Sequence, residues 1–407
     1  MTAKTASEPS LNHVGQSEWV IILGGLALLG PLSVDAYLPA FSAIEHDLVA
    51  GSESVQFTLT GYLFAFAAMS LFHGVLSDAL GRRRLVLASL VMFSVANLGC
   101  AVSPDIAWLS TFRIAQGLCA GAGTVVGRAI IRDQFNGAAA TRLLAIVSMV
   151  FSLSPALAPV LGGWIVERAS WRGIFLFMFV YTSVLSLFCV RNLPETLPIH
   201  ARQVFRPIDL LHQYGNVFLH REFTMGALAI SFSFAGLFIY VASAPAFVGQ
   251  ELRLPNNAYA WLFVPIVAGI FLGSWASERL AMSTRAKTLV ISGFAIQVVS
   301  TMANSAFHVF HPAALLWSVL PLFFYAFGMS LVTPSLTLAG LDLFPAFRGL
   351  AASCQSFAML TLAGIVTHFA PHLGGRAWEL ALAQCVLCLV AIGLGLAARS
   401  KNLGPSQ

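Results

Sequence analysis

The sequence predicts an all-α membrane protein of twelve transmembrane helices arranged as two six-helix bundles. Three observations lead there. Of its 407 residues, 58% are hydrophobic and only 10% charged, where soluble domains carry about 25% charged residues. The apolar runs are long enough to cross a bilayer, which takes about 20 residues, and they follow one another with few pauses. One polar, proline-bearing stretch, 192–222, parts them six and six.

Residues 1–17 are polar and read as a tail on the side where the chain starts. They lack the basic start, short apolar core and small-residue cleavage site of a secretory signal, so the first apolar run is expected to be a retained helix. The spans fall near 18–41, 54–73, 85–103, 107–131, 142–166 and 171–191, then near 223–248, 257–277, 287–306, 312–337, 349–371 and 377–398. The chain thus divides into an N-terminal bundle over 18–191, a linker over 192–222, a C-terminal bundle over 223–398 and a tail over 399–407. Within the linker, Ile208, Leu211, Tyr214, Val217 and Phe218 recur at helical spacing, the pattern of a short helix lying on the membrane surface.

Lys and Arg favour cytoplasmic loops. With both termini inside, roughly 17 of the 22 basic residues lie on the cytoplasmic side, among them Arg82, Arg83, Arg84, Arg132 and Arg142. The net charge of +5 is then a matter of topology and implies no nucleic-acid partner. The six cysteines all sit inside apolar runs, where free thiols behave as small hydrophobes. The ten histidines show no ligand spacing. No nucleotide-binding glycine loop and no catalytic triad are visible, so the expected protein is not an enzyme, has no cofactor and no metal, and is driven by an ion gradient. The ends of spans one and seven echo each other, Tyr37-Leu38-Pro39-Ala40-Phe41 and Ser243-Ala244-Pro245-Ala246-Phe247, as two parallel repeats would. In such an arrangement the substrate site lies between the halves.

Two ionisable residues stand inside spans. Asp35 lies about four residues before the expected outer end of the first span. A charge near the bilayer centre costs about 2.5–3.5 kcal/mol on insertion scales, less off-centre, and such residues face a cavity or a partner. A carboxyl that switches between charged and neutral is what proton coupling requires; an Asp that merely caps a helix broken between Pro31 and Pro39 is the structural alternative. Arg113, about six residues into span four, sits at similar depth. It pairs with Asp35 directly, pairs through a substrate, or serves in a structural ion pair. Gln116 follows one turn on. Tyr37, Tyr62, Phe66, Gln116, Phe234 and Phe238 are the candidate lining of the substrate cavity.

Between spans two and three, Gly74-Val75-Leu76-Ser77-Asp78-Ala79-Leu80-Gly81-Arg82-Arg83-Arg84 combines arginines with an acid and two glycines; Gly74 and Gly81 are expected to permit a tight turn and close helix approach. In span five, Pro155 and Pro159 precede Gly162 and Gly163, the pattern of a bend packed closely on a neighbour.

These motifs resemble the major facilitator superfamily over essentially the whole chain. Gly74 to Arg84 is similar to its signature between spans two and three, Arg113-Ile114-Ala115-Gln116-Gly117 to its RxxQG motif, and Ser154 to Gly163 to the proline–glycine antiporter motif. Gly30 to Pro39 resembles the first span of the bicyclomycin and chloramphenicol exporter branch, the Bcr/CflA-type drug:proton antiporters. The resemblance implies alternating access, proton-coupled efflux of small amphipathic drugs, and a monomer in a bacterial inner membrane. Its expected partners are a small-molecule substrate, protons and the lipid bilayer. Gly74, Asp78, Gly81, Arg82, Pro155, Pro159, Gly162 and Gly163 would be conformational elements, with Asp78 and Arg82 latching the cytoplasmic side in the outward-facing state. Ala79 stands where the family usually has a basic residue, which implies a weaker cytoplasmic charge relay; no acid lies two turns before Asp35, which implies a neutral or zwitterionic substrate. A symporter or exporter of a metabolite on the same fold is the alternative, opposed by the span-five motif; a non-transporting receptor would usually carry a sizeable soluble domain.

Overall fold

The computed structural model describes residues 15–203, 206–255, 258–281 and 283–398. Within them, twelve stretches are long and apolar enough to cross a membrane. The helices that form them are α1 (Gln16–Asp35), α2 (Ser52–Leu80), α3 (Arg82–Ala101), α4 (Ile106–Gln134), α5 (Gly137–Arg168) and α6 (Trp171–Asn192), followed by α7 (Arg221–Ala242), α8 (Ala260–Ala281), α9 (Ala286–Phe310), α10 (Leu315–Asp342), α11 (Arg348–Phe369) and α12 (Ala377–Ala398).

Several of these outrun the apolar stretches. α2 continues to Leu80, so Gly74 lies inside the helix rather than at the expected turn. The turn is made at Gly81 alone, whose φ of 98° and ψ of 148° suit a residue without a Cβ. α1 ends sooner than its apolar run: the helix breaks after Asp35, passes through a 3-10 turn at Leu38–Ala40 and resumes as Phe41–Asp47. In the linker, the apolar spacing forms a helix at Pro207–Leu219. Tyr214 and Val217 bury against Phe223 of α7, Ala351 and Cys354 of α11, and Leu71, Phe72 and Val75 of α2.

The two halves pack alike. In the first, α2 lies on α4, α3 on α4 and α6, and α1 on α5; in the second, α8 lies on α10, α9 on α10 and α12, and α7 on α11. The bundles meet along α2 with α11 and α5 with α8, two contacts that exchange when the halves are exchanged. That is the relation expected of parallel repeats. Hydrophobic burial drives little helix association in lipid, so close backbone approach carries more of it. Gly162 is the clearest case: a Cβ there would overlap the backbone carbonyl of Ala36, just past the end of α1. α5 runs as one helix through Pro155 and Pro159, with Pro159, Gly162 and Gly163 buried.

Candidate functional site

The break after Asp35 sets the site. Asp35 is the last residue of α1 and only 5% exposed. Its carboxyl therefore meets the negative end of the helix dipole, a poor place for a negative charge. Oδ2 is buried and has no hydrogen-bond partner.

Arg113 of α4 is fully buried and reaches α1 at Ser33, two residues before Asp35. Nη1 donates to the Ser33 hydroxyl at 3.0 Å, to the Ser33 carbonyl at 3.3 Å and to Gln116 Oε1 at 2.6 Å. Gln116 in turn donates to Asn97 Oδ1 at 2.8 Å, and Asn97 donates to the Phe93 carbonyl at 2.8 Å. The guanidinium lies between two phenol rings, 4.5 Å from the centre of Tyr37 and 4.4 Å from that of Tyr62, within the range of cation–π attraction. Both phenols are tied down. Tyr62 donates to the Gly30 carbonyl at 3.2 Å. Tyr37 shares a 2.7 Å bond with Thr58, whose own hydroxyl donates to the Val55 carbonyl.

Arg113 and Asp35 do not form an ion pair. The cation is held instead by neutral oxygens and ring faces, while its Nε and Nη2 stay buried without partners. The site therefore carries an unsatisfied carboxyl oxygen and an unsatisfied guanidinium edge in one bundle. Burying such groups unpartnered costs about 1–3 kcal/mol each, more when charged, so the carboxyl is poised to gain from a proton and the guanidinium from a ligand that accepts its hydrogen bonds.

The structure gathers Asp35, Arg113, Tyr37, Tyr62 and Gln116 into this cluster and adds Phe66, which stands edge-on to Tyr62 at 6.2 Å and half-buried. Tyr37, Tyr62 and Gln116 spend their polar atoms on protein partners. Phe234 and Phe238 stack on each other at 5.4 Å on α7 of the other bundle. Ser33 and Asn97 were missed from sequence. Asn97 had a signal, being a carboxamide alone in the apolar run of α3; Ser33 had little beyond its place two residues before Asp35.

At the opposite end of the bundle, the glycine–arginine motif closes on itself and on the linker. The Arg82 side chain pairs with Asp78 and, through Nε at 3.1 Å, with Asp133 of α4, and it donates to Ser77. Thr196 donates to the same Asp133 oxygen at 3.0 Å. Glu195 accepts from the Arg82 N–H at 2.9 Å and pairs with Arg202 at 3.6 Å. The start of the linker thus clips onto the α2–α3 turn, a contact the sequence reading did not foresee. Gly74 is not tightly enclosed: a Cβ there would lie 3.8 Å from Val125, an ordinary contact. The close approach expected of Gly74 is made elsewhere in the α2–α4 seam, at Gly117, where a Cβ would strike the Tyr62 carbonyl.

Twelve spanning helices in two matched bundles, with a buried unpaired acid and base beside the break in the first, define a multi-pass membrane transporter. The chain belongs to the Major Facilitator Superfamily, whose family pattern matches residues 23–397. It is 33% identical over 323 residues to the uncharacterized MFS-type transporter YdgK of Bacillus subtilis (strain 168), across 78% of this chain and 80% of that one. It is 27% identical over 284 residues to the bicyclomycin resistance protein homolog of Haemophilus influenzae, across 70% and 71% of the two chains. Among solved structures, the D-xylose-proton symporter superposes with a TM-score of 0.73 at 15% identity, over 95% of this chain and 98% of the other; that likeness is one of fold.

Proposed function

We propose that the protein is a proton-coupled antiporter that exports small amphipathic compounds, neutral or zwitterionic, by alternating access. The observation that carries this reading is Asp35: a buried acid at a helix break, one oxygen unpartnered, two residues after the Ser33 that helps hold a buried arginine. The antibiotic in the name of the Haemophilus influenzae relative supports drug-like substrates.

The cytoplasmic assignment of the basic end, with Arg82, Arg83, Arg84, Arg132 and Arg142, and of both termini rests on the positive-inside rule, and the bacterial relatives support an inner-membrane location. In the inward-facing state substrate enters between the bundles and displaces the proton from Asp35. In the outward-facing state a proton from the more acidic side returns to Asp35 and releases the substrate. Arg113 adjusts that competition. It is fixed by Ser33, Gln116 and the two phenols, so its charge acts from a set position. Phe66, Phe234 and Phe238 supply apolar surface from both bundles. Asp78 and Arg82, braced by Asp133 and the linker, keep the α2–α3 turn rigid as the bundles rock, and Pro155, Pro159, Gly162 and Gly163 keep α5 close against α1. One net charge moved across 100 mV yields about 2.3 kcal/mol, enough for a substrate gradient on the order of 50-fold, and each pH unit adds about tenfold per coupled proton.

Inverted vesicles with an internal pH dye test the direction of coupling. Substrate added outside, at the exposed cytoplasmic face, must drive protons out of an acid-loaded interior as it accumulates. Protons and substrate moving the same way would replace antiport by symport.

A further inference from the structure

The helix that resumes after the break, Phe41–Asp47, has only seven residues, well under the roughly 12–15 at which a helix holds by itself in water. Its far end is anchored. Asp47 Oδ2 accepts from the Trp171 indole N–H at 2.9 Å and pairs with the Arg172 guanidinium. Arg172 Nη2 donates to the Ser103 carbonyl, just past the end of α3, at 3.1 Å, and the guanidinium lies over the Trp171 ring at 4.2 Å. Asp47 ends one helix, where a negative charge is disfavoured, and reaches the first residue of α6, where it is favoured. This anchor stands at the end of the bundle opposite Arg82, with both charged side chains partly open to solvent.

From the anchor a column of buried rings leads to the buried arginine, each step a contact. Trp171 stands edge-on to Phe175 at 6.1 Å, and Phe175 meets Tyr37 at 5.5 Å. Tyr37 is edge-on to Phe41 at 5.1 Å and carries the Arg113 guanidinium over its ring at 4.5 Å. Thr58 holds the Tyr37 hydroxyl; the column holds the ring. The second bundle has the acid but not the column. Glu251 Oε2 accepts from the Ala377 N–H at the start of α12 at 3.2 Å, yet Ser243 stands in the place of Tyr37, and no arginine is buried in that bundle among the described residues.

We propose that Asp47, Trp171 and Arg172 are positioning residues: through Phe175 and Tyr37 they hold Arg113 off Asp35, so that Asp35 can take a proton. Asp35 Oδ2 and Arg113 Nε and Nη2 are buried without partners, and Ser33, two residues before Asp35, already binds Nη1. An ion pair would satisfy both groups, and a carboxylate paired with a guanidinium gives up affinity for protons. The Tyr37 ring face keeps the cation where it is, and the anchored column keeps the ring there. Besides Arg113, the titratable groups on the helices packed against this half of α1 are Cys119 of α4 and Tyr181 of α6, with Tyr37 and Tyr62 around the guanidinium; α5 carries none between Arg142 and Glu167. Glu45, His46, Glu167 and Arg168 lie toward the anchor. The inference rests on the reading of Asp35 given above.

The test follows the Asp35 proton itself and needs no substrate. The full chain in nanodiscs is titrated by pH while infrared difference spectra record the carbonyl stretch of protonated carboxyls; the part lost in Asp35→Asn belongs to Asp35. Trp171→Phe keeps a ring and removes the hydrogen bond, and Asp47→Asn removes the ion pair. In each, the pH at which the Asp35 band is half-formed should fall by about one unit, a tenfold loss of proton affinity and the low end of what an adjacent cation produces. Asp47→Glu, which keeps the charge opposite Arg172, should leave the half-point in place. With Arg113→Gln present, Trp171→Phe and Asp47→Asn should shift nothing, because the cation they release is gone. A half-point unchanged in Trp171→Phe and Asp47→Asn, whatever their melting temperatures, overturns this inference alone, as does a shift that survives Arg113→Gln. If Asp35→Asn removes no band at any pH, the reading of transport fails and this inference fails with it.

Discussion

Replacing Arg113 by Lys keeps the charge and removes the geometry that holds it. The guanidinium carbon lies 4.5 and 4.4 Å from the ring centres of Tyr37 and Tyr62, while Nη1 serves the Ser33 hydroxyl and Gln116. A desolvated cation on a ring face is worth about 2 kcal/mol, and an ammonium on a flexible stem faces one ring well, not two. Losing one ring contact and weakening one charged hydrogen bond, itself worth about 1.5–3 kcal/mol, removes about 3 kcal/mol of positioning. At about 1.4 kcal/mol per decade, coupled efflux should fall on the order of 100-fold. The assay is initial efflux from proteoliposomes under a fixed pH gradient, corrected for folded protein by size-exclusion profile. Arg113→Lys transporting within twofold of the unmodified protein would refute the claim that the phenol pair and Gln116 position the cation for coupling.

Gly162→Val should break the α1–α5 seam beside Asp35, because the new Cβ meets the Ala36 backbone, which no rotamer change can clear; a melting temperature equal to that of the parent would contradict this packing. Gly81→Ala should cost about 1–3 kcal/mol, the strain of a side chain in a glycine-only conformation, with a further clash against the Glu195 carboxylate, and a thermal shift of several degrees in detergent checks it. Asp78→Asn and Asp133→Asn should each be tolerated, since Arg82 keeps one acid, while the double variant loses more stability than the two single losses together; strictly additive losses would show that Arg82 is not shared between them.

The sequence carried the fold well because lipid imposes a simple rule. A spanning segment must satisfy its backbone internally, so long apolar runs meant helices and their number was readable. Helix ends were less readable. Apolarity marks where the bilayer stops, not where the helix does, so α2 ran on through Ser77 and Asp78, and Gly74 fell inside it. In the site, Asp35 and Arg113 stood out because charge inside a span is expensive, but depth alone left a direct pair open. What the structure adds is side-chain detail: Ser33 and Gln116 take Nη1 of Arg113 and two phenols flank the guanidinium, while its Nε and Nη2 stay without partners and no bond to Asp35 forms. The linker clip of Glu195, Thr196 and Arg202 was invisible because polar residues in a connecting stretch carry no periodicity to say what they touch.

The central claim is that Asp35 carries the coupled proton. It is tested most directly by efflux from proteoliposomes containing the Asp35→Asn protein, measured with and without an imposed pH gradient, beside energy-independent exchange of labelled for unlabelled substrate. Asp35→Asn should keep exchange, because the bundles still rock and substrate still binds, and should lose all acceleration by the pH gradient. Acceleration equal to that of the unmodified protein would contradict the account.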